Sequence, residues 1–134
     1  MSVIKIIVAT HKNFIMPQDK ELYLPVHVGC EGKKDLGFQG DNTGDNISVL
    51  NPYYCELTGL YWAWKNLECD YLGLVHYRRY FTKKGVTYKD SINIDAVILD
   101  KDDIEKLLEV SNVIVPKKRK YYIETLYSHY AHTL

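Results

Sequence analysis

Two adjacent arginines, Arg78 and Arg79, follow an apolar run in the stretch DYLGLVHYRRYF, which covers residues 70–81. A guanidinium group presents a fixed fork of donors that matches the oxygens of a phosphate. Burying such a charge without an anion costs on the order of several kcal/mol. The apolar run predicts a strand, and open α/β sheets bind their ligands at the carboxyl ends of strands. The pattern therefore favours an anion site at this strand end, with His76 beside the arginines.

A structural role for the two arginines is the alternative. One or both could pair with an internal carboxylate, and Asp41, Asp45 and Glu56 are the candidates. If the strand continued through Arg78 and Arg79, their side chains would also point to opposite sides of the sheet, so that only one would face a ligand. The residues alone favour anion binding over internal pairing and leave both open.

The motifs of several common enzyme classes are absent. The chain contains no GxxxxGK[ST], no GxGxxG after a strand, no GxSxG and no HExxH. Cys30, Cys55 and Cys69 lack metal-ligand spacing, and His129 and His132 have no acidic or cysteine partner at ligand distance in the sequence. The sequence therefore predicts no metal site.

Charge and cysteine content narrow the partners and the compartment. Among 134 residues, 17 basic side chains balance 17 acidic ones, which disfavours a nucleic-acid ligand despite the basic-aromatic stretches HYRRYF and KKRKYY. The odd number of cysteines indicates free thiols. With no signal peptide and no apolar run of membrane-spanning length, we expect a cytoplasmic protein, and peripheral binding at the inner membrane face stays open.

Strands alternate with helices along the chain. Apolar, β-branched runs predict strands at residues 3–9 and 22–28, and the run before His76 predicts another. Pro25 argues for an edge position of the second strand. This alternation predicts an α/β fold with a mostly parallel sheet flanked by helices. The length fits one domain, residues 1–134.

The clearest helix is predicted in the stretch NPYYCELTGLYWAWKNLEC, residues 51–69, with Asn51 as its N-cap and Pro52 at its first position. Gly59 inside it suggests close packing, because glycine costs a helix about 1 kcal/mol relative to alanine. Apolar residues at helical spacing predict the buried face: Leu57, Leu60, Tyr61, Trp64 and Leu67. Trp62 falls outside this stripe and is therefore a candidate for a pocket or partner contact.

The remaining segments are less regular. Residues 29–46 hold five of the eight glycines, and a loop of this length is either functional or mobile. Asp100 predicts the N-cap of a helix over residues 101–110, and NVIVP at 112–116 predicts another buried strand. A last amphipathic helix over 123–130 meets the end of the sequence without a cap. We therefore expect the chain to be the N-terminal portion of a longer domain.

The stretches GDNIS at 44–48, NPYYCELTGLYWAWKN at 51–66 and GLVHYRRYF at 73–81 resemble a bacterial family of glycosyltransferase-like domains of formally unknown function. Members of that family occur in capsular and exopolysaccharide biosynthesis proteins. Residues 4–12 and 116–130 resemble it as well, so the resemblance covers nearly the whole chain, although family members are longer. The resemblance implies a Rossmann-like fold of the GT-A nucleotide-sugar transferase type, truncated here at the C-terminus.

The resemblance also implies a chemistry, the transfer of a sugar from a nucleotide-diphosphate donor to a glycan or lipid-linked glycan. Typical GT-A strands end in Asp-x-Asp, which holds a divalent metal on the diphosphate, whereas the strand here ends in His-Tyr-Arg-Arg. Fixed cations can stabilise a leaving diphosphate in place of a metal. Arg78, with His76 or Arg79, would do so here, and a divalent metal cofactor stays open.

Further site residues follow from the same resemblance. Thr10 and His11 would line the nucleotide pocket, and the loop carrying Asp41, Gly44, Asp45 and Asn46 would approach the ribose or sugar. Tyr77 and Trp62 are further substrate-binding candidates. The base of an inverting reaction stays unassigned among Asp41, Asp45 and Glu56. The alternative function is a truncated, non-catalytic module that binds nucleotide or another protein, and self-association stays open.

Overall fold

A computed structural model describes residues 2–86, 93–117 and residue 131. Four strands form one sheet, in the spatial order β3-β2-β1-β4, and every neighbouring pair is parallel. The strands are β1 Ile4–Thr10, β2 Tyr23–His27, β3 Gln39–Gly40 and β4 Tyr71–His76. The predicted α/β class with a parallel sheet is confirmed.

Three α-helices and two 3₁₀ turns accompany the sheet in the described part of the chain. The helices are α1 Asn51–Tyr54, α2 Leu57–Asn66 and α3 Lys101–Leu108, and the 3₁₀ turns are Ser48–Leu50 and Ile94–Ala96. None of these described helices is long and apolar enough to cross a bilayer.

The two faces of the sheet have separate cores. On one face α2 packs against the alternate residues of β1 and β2, giving a cluster of Ile7, Ala9, Val26, Val28, Trp62 and Ala63. On the other face α3 and the residues before it cover a second cluster, which includes Ile4, Ile6, Val8, Tyr23, Val97, Ile98 and Ile104. The sheet is therefore covered by helices on both faces, as parallel sheets require.

Pro25 lies within β2, which β1 and β3 flank, so the predicted edge position is wrong for the strand as a whole. The proline is nevertheless tolerated, because its nitrogen, which cannot donate a hydrogen bond, does not face a paired strand. Val28 N–H donates to Thr10 on β1, and residues alternate along a strand, so the Pro25 nitrogen faces away from β1. On that side β3 pairs only with Val26 and His27. No ladder hydrogen bond is lost.

The helix predicted in residues 51–69 is wrong in its continuity, because the chain forms two helices there. Cys55 separates them with φ 53° and ψ −130°. Asn51 is the first helical residue and not the N-cap, a position that Leu50 takes without a side-chain bond. The Asn51 side chain instead bridges the break, since its Nδ2 donates to Cys55 O (2.8 Å) and to Thr58 Oγ1 (3.2 Å).

The predicted buried face of this region is wrong only in part, since Leu60 and Leu67 do pack against the core. Trp62 is buried, whereas Trp64 is 63% exposed and Leu57 is 51% exposed. Small residues explain the difference: a Cβ added at Gly59 would lie 2.5 Å from Val28 Cγ1. The helix backbone thus approaches the sheet closely along its small side chains, as the glycine suggested, and the break at Cys55 resets the helical phase.

Asp100 is the N-cap of α3, as predicted, and forms a capping box with Asp103. The helix itself ends at Leu108. The strand predicted at 112–116 is wrong, because Val113 and Val115 are exposed and no strand forms there. Ser111 turns the chain at this point, with its hydroxyl bonded to the Val113 backbone. The helix predicted over 123–130 lies outside the described residues.

Candidate active site

The polar residues that follow β1 and β4 meet at one edge of the sheet. The two strands are parallel neighbours, and Ala9 of β1 is in register with His76 of β4. His11 therefore follows β1 at the same edge at which the Arg78–Arg79 pair follows β4. This is the carboxyl edge, where ligands of open parallel sheets bind.

The chain reverses sharply after β4, so strand alternation does not continue into the arginines. His76 N–H donates to Arg79 O (3.2 Å), and Arg79 N–H donates to His76 O (2.8 Å). Arg78 and Arg79 are both exposed, and none of the ion pairs within residues 2–86 and 93–117 includes either of them. In this part of the chain, the predicted structural alternative of internal carboxylate partners is therefore not found.

Tyr77 forms the centre of a cluster of cationic and aromatic groups. Its ring is almost fully buried, and the ring centroids of His76 and His11 lie 4.4 Å and 5.6 Å from its own. Lys12 Nζ and Arg78 Cζ lie 5.5 Å and 5.3 Å from the same centroid. An aromatic face attracts cations, so the ring helps to hold positive groups at this edge without neutralising them.

His76 presents a hydrogen-bond donor to its surroundings. The Arg78 backbone N–H donates to His76 Nδ1 (3.2 Å), so the proton of the neutral ring is on Nε2, which lies 4.0 Å from Glu56 Oε1. Burial lowers the pKa of His76 below its ordinary value; Glu56 opposes this shift, and the neighbouring positive charges add to it. At neutral pH the imidazole is therefore uncharged, with its Nε2–H on the side of Glu56.

Glu56 owes its position to the break before α2. The Cys55 dihedrals are those of the first central position of a type II′ turn, which glycine normally occupies. Such a conformation costs a residue with a Cβ about 1–3 kcal/mol and is often found at functional sites. Thr58 N–H and the Asn51 side chain donate to Cys55 O and hold the turn. The half-exposed Glu56 carboxylate follows directly, at the end of α2 that faces His76.

Asp41 is fully buried and accepts four hydrogen bonds. The donors are Gly29 N–H (2.7 Å), Cys30 N–H (3.2 Å), Ser48 Oγ (2.6 Å) and Thr58 Oγ1 (2.6 Å). Burial raises the pKa of Asp41, but these hydrogen bonds outweigh it and hold the pKa below its ordinary value. Asp41 is thus an ionised anchor whose oxygens are already occupied, a poor arrangement for a base.

Gly44, Asp45 and Asn46 lie along the other half of α2. Tyr61 OH donates to Asp45 Oδ1 (2.9 Å), and the Asn66 side chain donates to Asp45 O (2.9 Å). Asn66 is the last residue of α2, and ten residues of helix span about 15 Å. The structure therefore does not bring this part of the loop to the Glu56 end of the helix.

Trp62 belongs to the same packed region. Its indole is buried, and Nε1 donates to Thr43 Oγ1 (2.8 Å). The Asn66 amide also donates to Trp62 O (2.9 Å). Trp62 thus fastens the loop onto α2 and belongs to the core below it, a position different from the pocket wall that the sequence suggested.

Thr10 and His27 complete the edge of the sheet. Thr10 is buried, and its hydroxyl donates to Lys12 O (2.5 Å) and accepts from Lys12 N–H (3.2 Å), which turns the chain so that His11 is exposed. His27 ends β2, and burial lowers its pKa, although Asp41 opposes this shift. The sequence predicts His27 more often as a structural histidine than as a ligand, and its burial at this edge fits that role.

The chemistry available at this edge follows from the groups present. Within the described residues no set of three His, Cys, Asp or Glu side chains is arranged to hold a metal ion. An apolar cavity of about 300 Å³ lies elsewhere, between β4 and α3, lined by residues such as Leu74, Ile104 and Ile114. It has no charged side chain, so the carboxyl edge is the better candidate for catalysis.

Comparisons with known proteins agree with the fold. A family model described as "Domain of unknown function (DUF4422)" matches residues 5–134. A solved structure, the apo form of the WbbM bifunctional glycosyltransferase, is 43% identical over 63% of the chain, with a TM-score of 0.55. The chain spans 15% of the length of that structure. No curated protein matches the chain.

Proposed function

Because the chain belongs to the DUF4422 family and is a glycosyltransferase-like domain, we propose that it transfers a sugar from a nucleotide-diphosphate donor. One observation carries the proposal. Arg78 and Arg79 lie exposed at the carboxyl edge of a parallel sheet, and neither has an acidic partner in the described part of the chain. Two such guanidinium groups fit an anionic ligand with several oxygens. The diphosphate of a nucleotide-diphosphate sugar is an anion of this kind.

The arginines would act on the leaving group. When the bond between the anomeric carbon and the donor phosphate breaks, negative charge develops on the departing diphosphate. Arg78 and Arg79 offer donors to that charge from positions fixed by the tight turn after β4, and Lys12 adds a third cation. Donors placed in advance lower the barrier because they need not reorganise during the reaction.

Glu56 is the base that the geometry favours among the three carboxylate candidates. Asp41 is saturated with donors, and Asp45 lies along the far half of α2. In an inverting transfer the acceptor hydroxyl oxygen would attack the anomeric carbon. The carbon–phosphate oxygen bond would break, the diphosphate would keep the electron pair, and Glu56 would take the hydroxyl proton.

His76 would position the reacting groups. Its neutral ring directs Nε2–H toward Glu56, 4.0 Å away, and a donor at that place can orient the carboxylate or bind a phosphate oxygen. His11 and Tyr77 would form the wall of the nucleotide pocket beside it. Thr10 would act only through the turn that exposes His11.

The biological setting follows from the resemblance described above. We place the reaction in the assembly of capsular or exopolysaccharide, with a glycan or lipid-linked glycan as acceptor. The free cysteines and the nucleotide donor support a cytoplasmic reaction. A module that binds nucleotide without turnover is the second candidate, and the tests below separate the two.

Calorimetry of the 134-residue chain against UDP, GDP and CDP tests the anion site. We expect one diphosphate to bind, Arg78→Ala and Arg79→Ala each to weaken binding about tenfold or more, and EDTA to leave binding unchanged. Lys106→Ala is the matched control, since this exposed cation lies on α3, across the sheet. Full binding by both arginine variants would contradict the proposal, and so would loss of binding in EDTA.

A further inference from the structure

Residues 48–58 place an unusual number of apolar side chains in solvent. Tyr53 is 80% exposed, and the residues around it that are also exposed are Val49, Leu50, Tyr54 and Leu57. Neither core cluster contains any of the five. Five exposed apolar side chains within nine residues are more than scattered surface positions supply, and such exposure on a folded domain indicates a binding site.

The segment is firmly held, so the exposure does not come from loose packing. Ser48 and Thr58, its two ends, both donate to the buried Asp41 carboxylate at 2.6 Å. Asn51 ties the middle of the segment to its end through Cys55 O and Thr58 Oγ1. A clamp at the base therefore presents the side chains between its ends to solvent in a fixed arrangement.

The exposed segment leads along the chain directly into the candidate active site. Tyr54, Cys55 and Glu56 are consecutive, and the strained Cys55 links the tyrosines of α1 to the carboxylate that lies 4.0 Å from His76. A ligand held by the tyrosines would thus lie beside the group that removes a proton. This location fits an acceptor and not a donor, because the arginines lie at the end of β4.

Charge decides between the ligands that such a surface could take. The segment, SVLNPYYCELT, contains no lysine or arginine, and Glu56 is its one charged residue. A membrane surface carries anionic lipids and is bound through basic residues, so it does not fit. A sugar ring is uncharged, with C–H groups on its faces and hydroxyls at its rim, and tyrosine matches both through its ring and its polar tip.

We infer that Tyr53 and Tyr54 form the surface on which a pyranose ring of the acceptor glycan packs, with one ring hydroxyl near Glu56. The inference rests on the proposed glycosyl transfer and extends it, since it assigns the acceptor to α1. The tyrosines are binding residues, and Glu56 is the catalytic one.

The test uses the whole chain and no donor. Amide resonances of isotope-labelled protein are followed while methyl galactoside, glucoside, mannoside and rhamnoside, all pyranosides, are titrated one at a time. We expect at least one to shift resonances of residues 50–58. Tyr53→Ala and Tyr54→Ala should each weaken that binding fivefold or more, and Tyr→Phe at either position should weaken it less.

Trp64→Ala is the matched control, because this exposed aromatic lies on α2 outside the segment and should leave binding unchanged. Vesicles of phosphatidylglycerol and sedimentation velocity supply the other arms. The inference is overturned if no pyranoside binds, if the tyrosine variants bind as the wild type does, or if Tyr53→Ala abolishes vesicle binding or dimerisation instead. Diphosphate binding is measured separately, so its loss would overturn the proposed donor site and leave the acceptor surface standing.

Discussion

The two ends of α2 are built from similar polar and aromatic residues and differ in what those residues contact. At its C-terminal end, Asp45, Asn66 and Trp62 all bond to other groups of the same chain. At its N-terminal end, and within the described residues, the Glu56 carboxylate has a single charged partner 4.0 Å away, and the arginines beyond it have no ion pair. The contrast teaches that bonding capacity left over after folding, more than residue type, identifies the candidate site.

Asp41 lies at the N-terminal end of α2, bonded to Thr58, and provides the first test of this comparison. Asp41→Asn should cause the largest effect, a loss of about 3 kcal/mol or more in unfolding free energy, because an amide group would face donors that now bond a buried carboxylate. Urea denaturation measures it. Asp45→Asn, at the exposed end of the loop, is the control and should change stability little; equal losses in both variants would contradict the anchor role.

The pH dependence of stability gives the same residue a second test. The folded-state pKa of Asp41 is below its unfolded value, so its contribution is fully present above about pH 4 and is lost as pH falls through the folded-state pKa. Wild-type protein should therefore lose stability in acid more steeply than Asp41→Asn. Parallel curves for the two proteins below pH 4 would show that Asp41 is not held ionised.

Glu56→Gln sharpens the comparison at the N-terminal end. We expect the rate of sugar transfer to fall by roughly 10²–10⁴, the usual range for removal of a general base, with little change in stability. Initial rates of nucleotide release with acceptor present measure the change, using the whole chain. Asp45→Asn serves again as control and should keep the wild-type rate; a comparable loss there would move the base to the other end of α2.

Cys55→Gly should have the smallest effect. Glycine adopts the Cys55 dihedrals without strain, but it also gives the unfolded chain more freedom, so the net gain in stability should be near 1 kcal/mol. Cys55→Ala keeps the strained backbone and should gain nothing. Thermal unfolding of the two variants separates backbone strain from loss of the thiol, and an equal response in both would contradict the strain at this turn.

Much of the framework was predictable because it depends on local pattern. The apolar runs of β1 and β4 specify strands, and parallel neighbours bring His11 and Arg78 to one edge without any further information. The buried face of α2 was not predictable in this way. A count of large apolar residues favoured Trp64, whereas Gly59 and Ala63 let the helix approach the sheet on another side.

The burial of Asp41 and the turn at Cys55 could not be predicted, for a different reason. Asp41 is bonded to residues 7 and 17 positions away in the chain, and nothing in the sequence marks which of several carboxylates will be buried. Cys55 takes a backbone conformation that normally calls for glycine, so residue preference argued against a break there. Both features depend on contacts that form only in the folded chain.

The clamp of Ser48 and Thr58 on one carboxylate has a consequence for how this domain could diversify. Both ends of the segment are fixed by hydrogen bonds to Asp41. The entropic cost of closing the segment therefore depends only weakly on the length of chain between those ends. Val49, Leu50, Tyr53 and Tyr54 could thus be exchanged while Asn51, Asp41 and Glu56 stay in place. Acceptor preference could in that way vary among relatives independently of the donor machinery at the end of β4.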